Sequence, residues 1–181
     1  GKLGTGSNDL GVGLDLNLGT YLLDPRFLKF SLGTSFFWDR GAYDEFGTRQ
    51  KNTGINFYTE FLSTSQYPLR FHYTKQDSNF LEEQISSTTS GRSSLGFDWS
   101  LRKPKLPALS VSFDKTSYDS TFLASSAFKS KARTLTLNLT DRYRGWDINS
   151  NYSNQIASGG LTNLETSLNL ARFDARRQLT R

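Results

Sequence analysis

The chain contains no cysteine, which excludes disulfides and thiolate metal sites. It contains no methionine either. It begins Gly1-Lys2-Leu3-Gly4 with no apolar leader, as expected of a processed product or a piece of a longer polypeptide. No stretch approaches the roughly 20 consecutive apolar residues that a spanning helix needs. Valine and isoleucine, which soluble strands favour, are scarce. Apolar residues amount to 35%, below the roughly 45–50% (glycine included) of compact soluble domains. With His72 as the one histidine and no thiol, a transition-metal site is not expected, nor any cofactor.

Aromatic residues are plentiful at 14%, although mean hydropathy is -0.54. Disordered chains are depleted in aromatics, so this one is expected to fold. The net charge of +5 suits anionic solutes or anionic lipid headgroups. Its basic residues are dispersed along the sequence and form no stripe, so nucleic acid is not an expected partner.

The dominant signal is alternation with period two. Leu10, Val12, Leu14, Leu16, Leu18 and Leu22 alternate with small or polar residues. The same pattern runs through Leu28 to Trp38, Ile55 to Phe61, Leu69 to Tyr73, Leu95 to Leu101, and Leu109 to Phe113. It continues through Leu135 to Leu139, Trp146 to Tyr152, and Leu164 to Leu170. A last segment, Arg176 to Arg181, reads as a strand cut short without a terminal aromatic. Together these predict about ten strands, near or above the length of a tilted membrane strand. No segment has convincing helical spacing, although Phe80 to Ile85 would allow one helical turn in a loop.

Short connections are expected at Asp24 to Arg26, Ser65 to Pro68, Lys103 to Pro107, Arg142 to Gly145 and Phe173 to Ala175. All four prolines fall there, where a missing N–H harms no ladder. Long polar loops are expected over 40–52, 76–92, 116–133 and 154–163. Short turns at one rim and long loops at the other is the layout of outer-membrane barrels. An apolar–Asp/Asn–apolar triplet recurs on every odd strand, at Asp15, Asn56, Asp98, Asn138 and Asn169. Its early spacing of roughly 40 residues is that of propeller blades. Two long strands fill that interval, so one hairpin per period accounts for the repeat.

A soluble β-sandwich binding carbohydrate or protein would show the same period. Three features favour lipid. The apolar positions are mostly Leu, Phe, Trp and Tyr; the positions between them are small or polar; and large rings gather toward strand ends. Phe36, Trp38, Tyr67, Trp146 and Tyr152 are the candidate interface aromatics. Lipid offers no hydrogen bonds to a strand edge, so the sheet must close. The expected fold is therefore an all-β, antiparallel up-and-down transmembrane barrel. Residues 1–181 are expected to be a single barrel domain, which ten strands could close by themselves, or, as the abrupt last strand suggests, a fragment of a larger barrel.

In its alternating strands, its Tyr21–Leu28 corner and its Arg102–Pro107 turn, the chain resembles outer-membrane porin-like proteins. Large barrels of environmental Gram-negative bacteria share the pattern, including sheaths around multihaem cytochromes and barrels of polysaccharide export. The resemblance implies a bacterial outer-membrane location and a passive pore, conduit or sheath. It supplies no catalytic or binding residue.

The candidate lumen-lining residues are Asp15, Asn56, Arg70, His72, Asp98, Arg102, Asn138 and Asn169. Either they line a passage for water, ions or a polar polymer, or they hydrogen-bond across strands in a filled lumen. Arg70 and His72 with Asp98 and Arg102 would form a charged network, an electrostatic clamp or a selective constriction. A hydrolase built on His72 and one of many serines lacks any defining spacing, so no enzyme is expected. Glu82, Glu83 and Asp77 read as a solvated acidic loop rather than a calcium site. Gly4-Thr5-Gly6-Ser7 lacks the lysine of a phosphate loop. The sequons at Asn138 and Asn151 lie inside strands and are discounted. Basic residues expected in turns (Arg26, Lys103, Lys105, Arg142, Arg144, Arg172, Arg176 and Arg177) are solvated charges or contacts for headgroups or a periplasmic partner. Lipid and a periplasmic or lumenal protein are the expected partners.

Overall fold

The computed structural model describes residues 8–43, 46–82, 86–122, 126–143, 145–160 and 164–177. They form one sheet of nine strands. The strands are β1 (Asn8–Leu22), β2 (Leu28–Tyr43), β3 (Phe46–Phe61), β4 (Leu69–Glu82), β5 (Ser86–Leu101), β6 (Ala108–Phe122), β7 (Ser126–Tyr143), β8 (Trp146–Gly159) and β9 (Leu164–Arg177). Each pairs antiparallel with the next in sequence. β1 and β9 each have one neighbour only, so the sheet is open along two edges.

Several sequence expectations need correction. The strands are 14 to 18 residues long, beyond the roughly 9–11 that cross a bilayer. The surplus comes from the segments expected to be long loops. Residues 40–43 and 46–52 belong to β2 and β3, and the other expected loops are likewise mostly strand. Their Ser- and Thr-rich sequences lack apolar alternation, yet they ladder, because backbone pairing needs no apolar side chain. Only 44–45, 83–85, 123–125 and 160–163 separate strands at that rim, here the upper rim. The lower-rim connections, 23–27, 62–68, 102–107 and 144–145, are mostly longer, which reverses the expected asymmetry. Phe80, Leu81 and Glu82 end β4 as strand, not helix; 83–85 lie outside the described residues. Phe173 to Ala175 is no turn but the body of β9, which also holds Arg172, Arg176 and Arg177. The expected tenth strand is absorbed into β9 as far as Arg177; 178–181 lie outside the described residues.

All four prolines sit in lower-rim connections. There Asp24 Oδ1 accepts a hydrogen bond from Arg26 N at 2.6 Å, and the Asp24 carbonyl accepts one from Phe27 N at 2.9 Å. This folds the Asp24-Pro25-Arg26 corner before β2.

The register sorts side chains onto two faces. One hydrogen-bonded row runs Leu22, Leu28, Phe61, Leu69, Trp99, Val111, Leu137, Tyr152, Ala171. The even residues of β1 and β2 and the alternating apolar residues of β3 to β8 (Ile55 to Phe61, Leu69 to Tyr73, Leu95 to Leu101, Leu109 to Phe113, Leu135 to Leu139, Trp146 to Tyr152) share its face, while Tyr58, Phe80, Tyr118 and Phe128 lie on the other. Rings join across the row's face: Phe61–Phe71 at 6.1 Å, Phe71–Phe97 at 6.1 Å and Phe97–Phe113 at 5.8 Å between centroids. Thr59 lies among them at 5% exposure, and its hydroxyl donates to the Lys29 carbonyl at 3.0 Å. A polar group within an apolar belt must be satisfied internally in this way.

This apolar belt does not follow the hydrogen-bonded row. On β1 it extends from Leu22 up to Leu10, far above the row; on β8 it reaches down to Trp146, below it. Its centre slips by about one residue per strand, which at ~3.3 Å per residue and ~4.8 Å between strands means a strand tilt of roughly 35° to the belt. Closed membrane barrels tilt their strands by about the same angle.

Among the described residues no hydrophobic side chain is buried. Leu16 and Leu18 remain 56% and 63% exposed. The described chain is a single layer, and the second layer that a soluble β-sandwich requires is not among its strands.

Candidate functional site

The face opposite the belt is a wall mainly of hydroxyls, amides, glycines and charges, with Phe37, Tyr118 and Phe128 toward the upper rim. Its central row runs Tyr21, Lys29, Glu60, Arg70, Asp98, Ser112, Thr136, Ser153 and Leu170. Arg70 Nε donates to Glu60 Oε1 at 2.9 Å, with Asp98 directly opposite on the other flank. A cation thus stands between two carboxylates in one row.

In the next row up, His72 Nε2 and Asp114 Oδ1 meet at 2.9 Å, although β5 lies between their strands. The residue between them on β5 is Gly96. A Cβ built there would lie 2.5 Å from Asp114 Oδ1, 2.5 Å from His72 Cε1 and 2.6 Å from the Phe113 carbonyl oxygen. The missing side chain opens the path. Gly33 has the same role in the row above, where a Cβ would overlap the side-chain oxygens of both Asn17 and Asn56. Below, Asn138 Nδ2 donates to Ser110 Oγ at 3.3 Å and Asn138 Oδ1 accepts from Asn151 Nδ2. The wall is therefore cross-linked laterally over three strands at a time.

Asp15, Asn56, Asp98 and Asn138 share this polar face and step down the wall from β1 to β7, a slanted row like the belt's edge. Asn169 does not join them. It lies on the belt face, where its Oδ1 accepts from Asn154 Nδ2 and from Tyr152 Oη at 3.2 Å. Those amide bonds accompany a register that places Leu164, Leu168 and Leu170 on the polar face, contrary to the sequence reading. Because the side-chain period is two, a one-residue difference in pairing exchanges the faces of a whole strand. Arg102 lies beyond β5 in the turn, its N–H donating to the Gln66 carbonyl at 2.8 Å; it lines a shallow hollow with Arg70, Asp98 and Asn138. His72 pairs with Asp114, a partner the spacing did not suggest. Gly96, at the register position between them, was the available signal.

Of the candidate interface aromatics, Phe36 and Trp38 lie at the upper edge of the belt, with Lys51 Nζ 5.9 Å from the Phe36 ring. Trp146 lies at the lower edge of β8 with the Arg177 guanidinium 5.8 Å from its ring. Tyr67 sits in the lower-rim turn before β4. Tyr152 shares a row with Trp99 and Leu137 but, because the belt slants, stands at the upper end of its β8 stretch, next below Asn154.

A single up-and-down sheet with one apolar face, one polar face and tilted strands has the geometry of the wall of an outer-membrane β-barrel. Comparison with solved structures gives the same fold. The alcaligin outer-membrane receptor FauA of Bordetella pertussis matches 92% of this chain with a TM-score of 0.57 at 10% identity. The siderophore receptor PirA of Pseudomonas aeruginosa matches 94% with a TM-score of 0.61 at 12% identity. The chain spans about a third of either protein, 32% and 31% of their lengths. No family model matches the sequence, and no curated protein is significantly similar to it.

Proposed function

We propose that this chain belongs to the wall of a bacterial outer-membrane barrel that provides passive passage, as a pore, conduit or sheath, for a polar solute, a polymer or an electron carrier. One observation carries the reading: hydrogen-bonding side chains line one face of a single-layer sheet whose other face is an uncovered apolar belt. Water and polar cargo would run along the wall, and the Glu60–Arg70–Asp98 row would set charge selectivity. The role is non-enzymatic. Lipid is the partner on the belt side, and a periplasmic or lumenal protein is the proposed partner on the other.

The test is conductance of the full-length protein in planar bilayers. A wild-type channel whose cation–anion selectivity shifts on Arg70→Gln supports the reading. A folded, membrane-inserted protein whose conductance and reversal potential ignore Arg70, Glu60 and Asp98 overturns it.

A further inference from the structure

We infer that the belt face carries a collar of cations that binds the phosphate groups of lipid headgroups, just above the apolar belt. The inference rests on the reading of that belt as lipid-facing. Toward the upper rim, the first belt-face residue beyond the apolar stripe is Arg40 on β2, Lys75 on β4, Lys115 on β6 and Arg133 on β7, while β5 presents Ser93 and β8 Asn154. On β3, Lys51 follows one position later, after Thr53. These positions differ widely along the strands. They descend from β2 to β7 as the belt edge descends, so they occupy one height above the membrane.

Cations outnumber carboxylates on the upper part of the belt face, where Asp77 and Asp119 also stand, Asp119 directly opposite Lys129. On β7, Lys129, Lys131 and Arg133 stand on the belt side, while Ser130, Ala132 and Thr134 between them stand on the polar wall. Dispersal along the sequence hid this, because alternation and slippage are both needed to gather the cations.

Two features point to an anionic occupant. Lys115 and Arg133 are directly opposite across β6 and β7. Like charges facing each other destabilise a ladder, and an anion between them reverses the sign. In addition, among the described residues no carboxylate pairs with Lys115, Lys131 or Arg133, whereas Lys75 is held by Asp77 at 3.0 Å. All three are exposed. Ammonium and guanidinium groups beside an apolar belt suit a phosphate tethered to acyl chains, since the chains lie on the belt while the phosphate reaches the collar.

The test uses the full-length protein in detergent micelles and a bisphosphorylated glycolipid. The same glycolipid without phosphates and inorganic phosphate serve as controls. Native mass spectrometry reads binding. Wild type should prefer the phosphorylated lipid. Lys115→Gln/Lys131→Gln/Arg133→Gln should lose affinity by on the order of 100-fold, about fivefold per cation. The lower-rim variant Arg26→Gln/Lys103→Gln/Lys105→Gln should keep it. Lys115→Arg/Lys131→Arg should also keep it, which separates loss of charge from misfolding. Equal binding of both lipids, or displacement by millimolar inorganic phosphate, overturns the collar. Quenching of tryptophan by brominated acyl chains is measured alongside. If quenching persists without phosphate preference, the collar alone is wrong; if quenching is absent, the lipid-facing reading fails first.

Discussion

Gly96→Ala isolates the contact that ties three strands of the polar wall together. The new methyl would stand 2.5 Å from Asp114 Oδ1 and from His72 Cε1, both of which swing away at the cost of their mutual bond. That bond joins side chains 31% and 44% exposed, so solvent screening leaves it worth about 0.5–1 kcal/mol. The Phe113 carbonyl at 2.6 Å is different: it belongs to the β6 backbone and cannot rotate aside. Forcing a methyl into such a site costs about 1–3 kcal/mol. Together Gly96→Ala should destabilise the sheet by roughly 2–4 kcal/mol. Gly19 is the control, because it lies in the same hydrogen-bonded row and its Cβ would meet nothing within 4 Å. There alanine should be neutral or stabilise by about 0.5 kcal/mol, by restricting the unfolded chain. Guanidinium unfolding of the full-length protein in micelles, followed by tryptophan fluorescence, measures both. If the two variants unfold within about 0.5 kcal/mol of each other, which is near the resolution of such comparisons, the bridge across β5 does not exist as described.

Other outcomes follow from the two faces. The three tryptophans, Trp38, Trp99 and Trp146, all lie on the belt face; in bilayers, brominated acyl chains should quench all three, Trp99 most deeply because it sits mid-belt. The chain has no cysteine, so single substitutions report cleanly: Asn138→Cys should react with a membrane-impermeant maleimide and Leu137→Cys should not, and equal labelling would contradict the alternation. Leu137→Lys should cost about 2–4 kcal/mol, the penalty for a cation on a lipid face, whereas Leu168→Lys, on the polar face of β9, should be tolerated. Equal penalties at the two sites would show that β9 pairs one residue out of the register described.

Alternation made most of the architecture readable. Apolar side chains alternating along β1 and in the lower parts of β2 to β8 (mostly Leu and Phe, on β8 Trp146, Ile148 and Tyr152) assign both faces without coordinates, and the prolines mark the lower rim. The upper halves of the strands were opaque for a physical reason. In a barrel that crosses a bilayer both faces meet water beyond it, so Thr88 to Ser94 or Ser126 to Lys131 would have no apolar period to display, and backbone pairing alone keeps them extended. β9 misled for the opposite reason. Its leucines carry the right period but the wrong phase, and phase is set by pairing with β8, which a one-dimensional pattern does not encode. The Arg70 row was partly legible from residue type; the His72–Asp114 contact was not, because it joins residues 42 apart through the absence of a side chain.

Nine is an odd number, and the sheet alternates direction at every strand. β1 and β9 consequently point the same way. Joined to each other, they would make a single parallel seam, with slanted rather than perpendicular hydrogen bonds, in an otherwise antiparallel cylinder. Closure with antiparallel seams throughout instead interposes an odd number of additional strands between them.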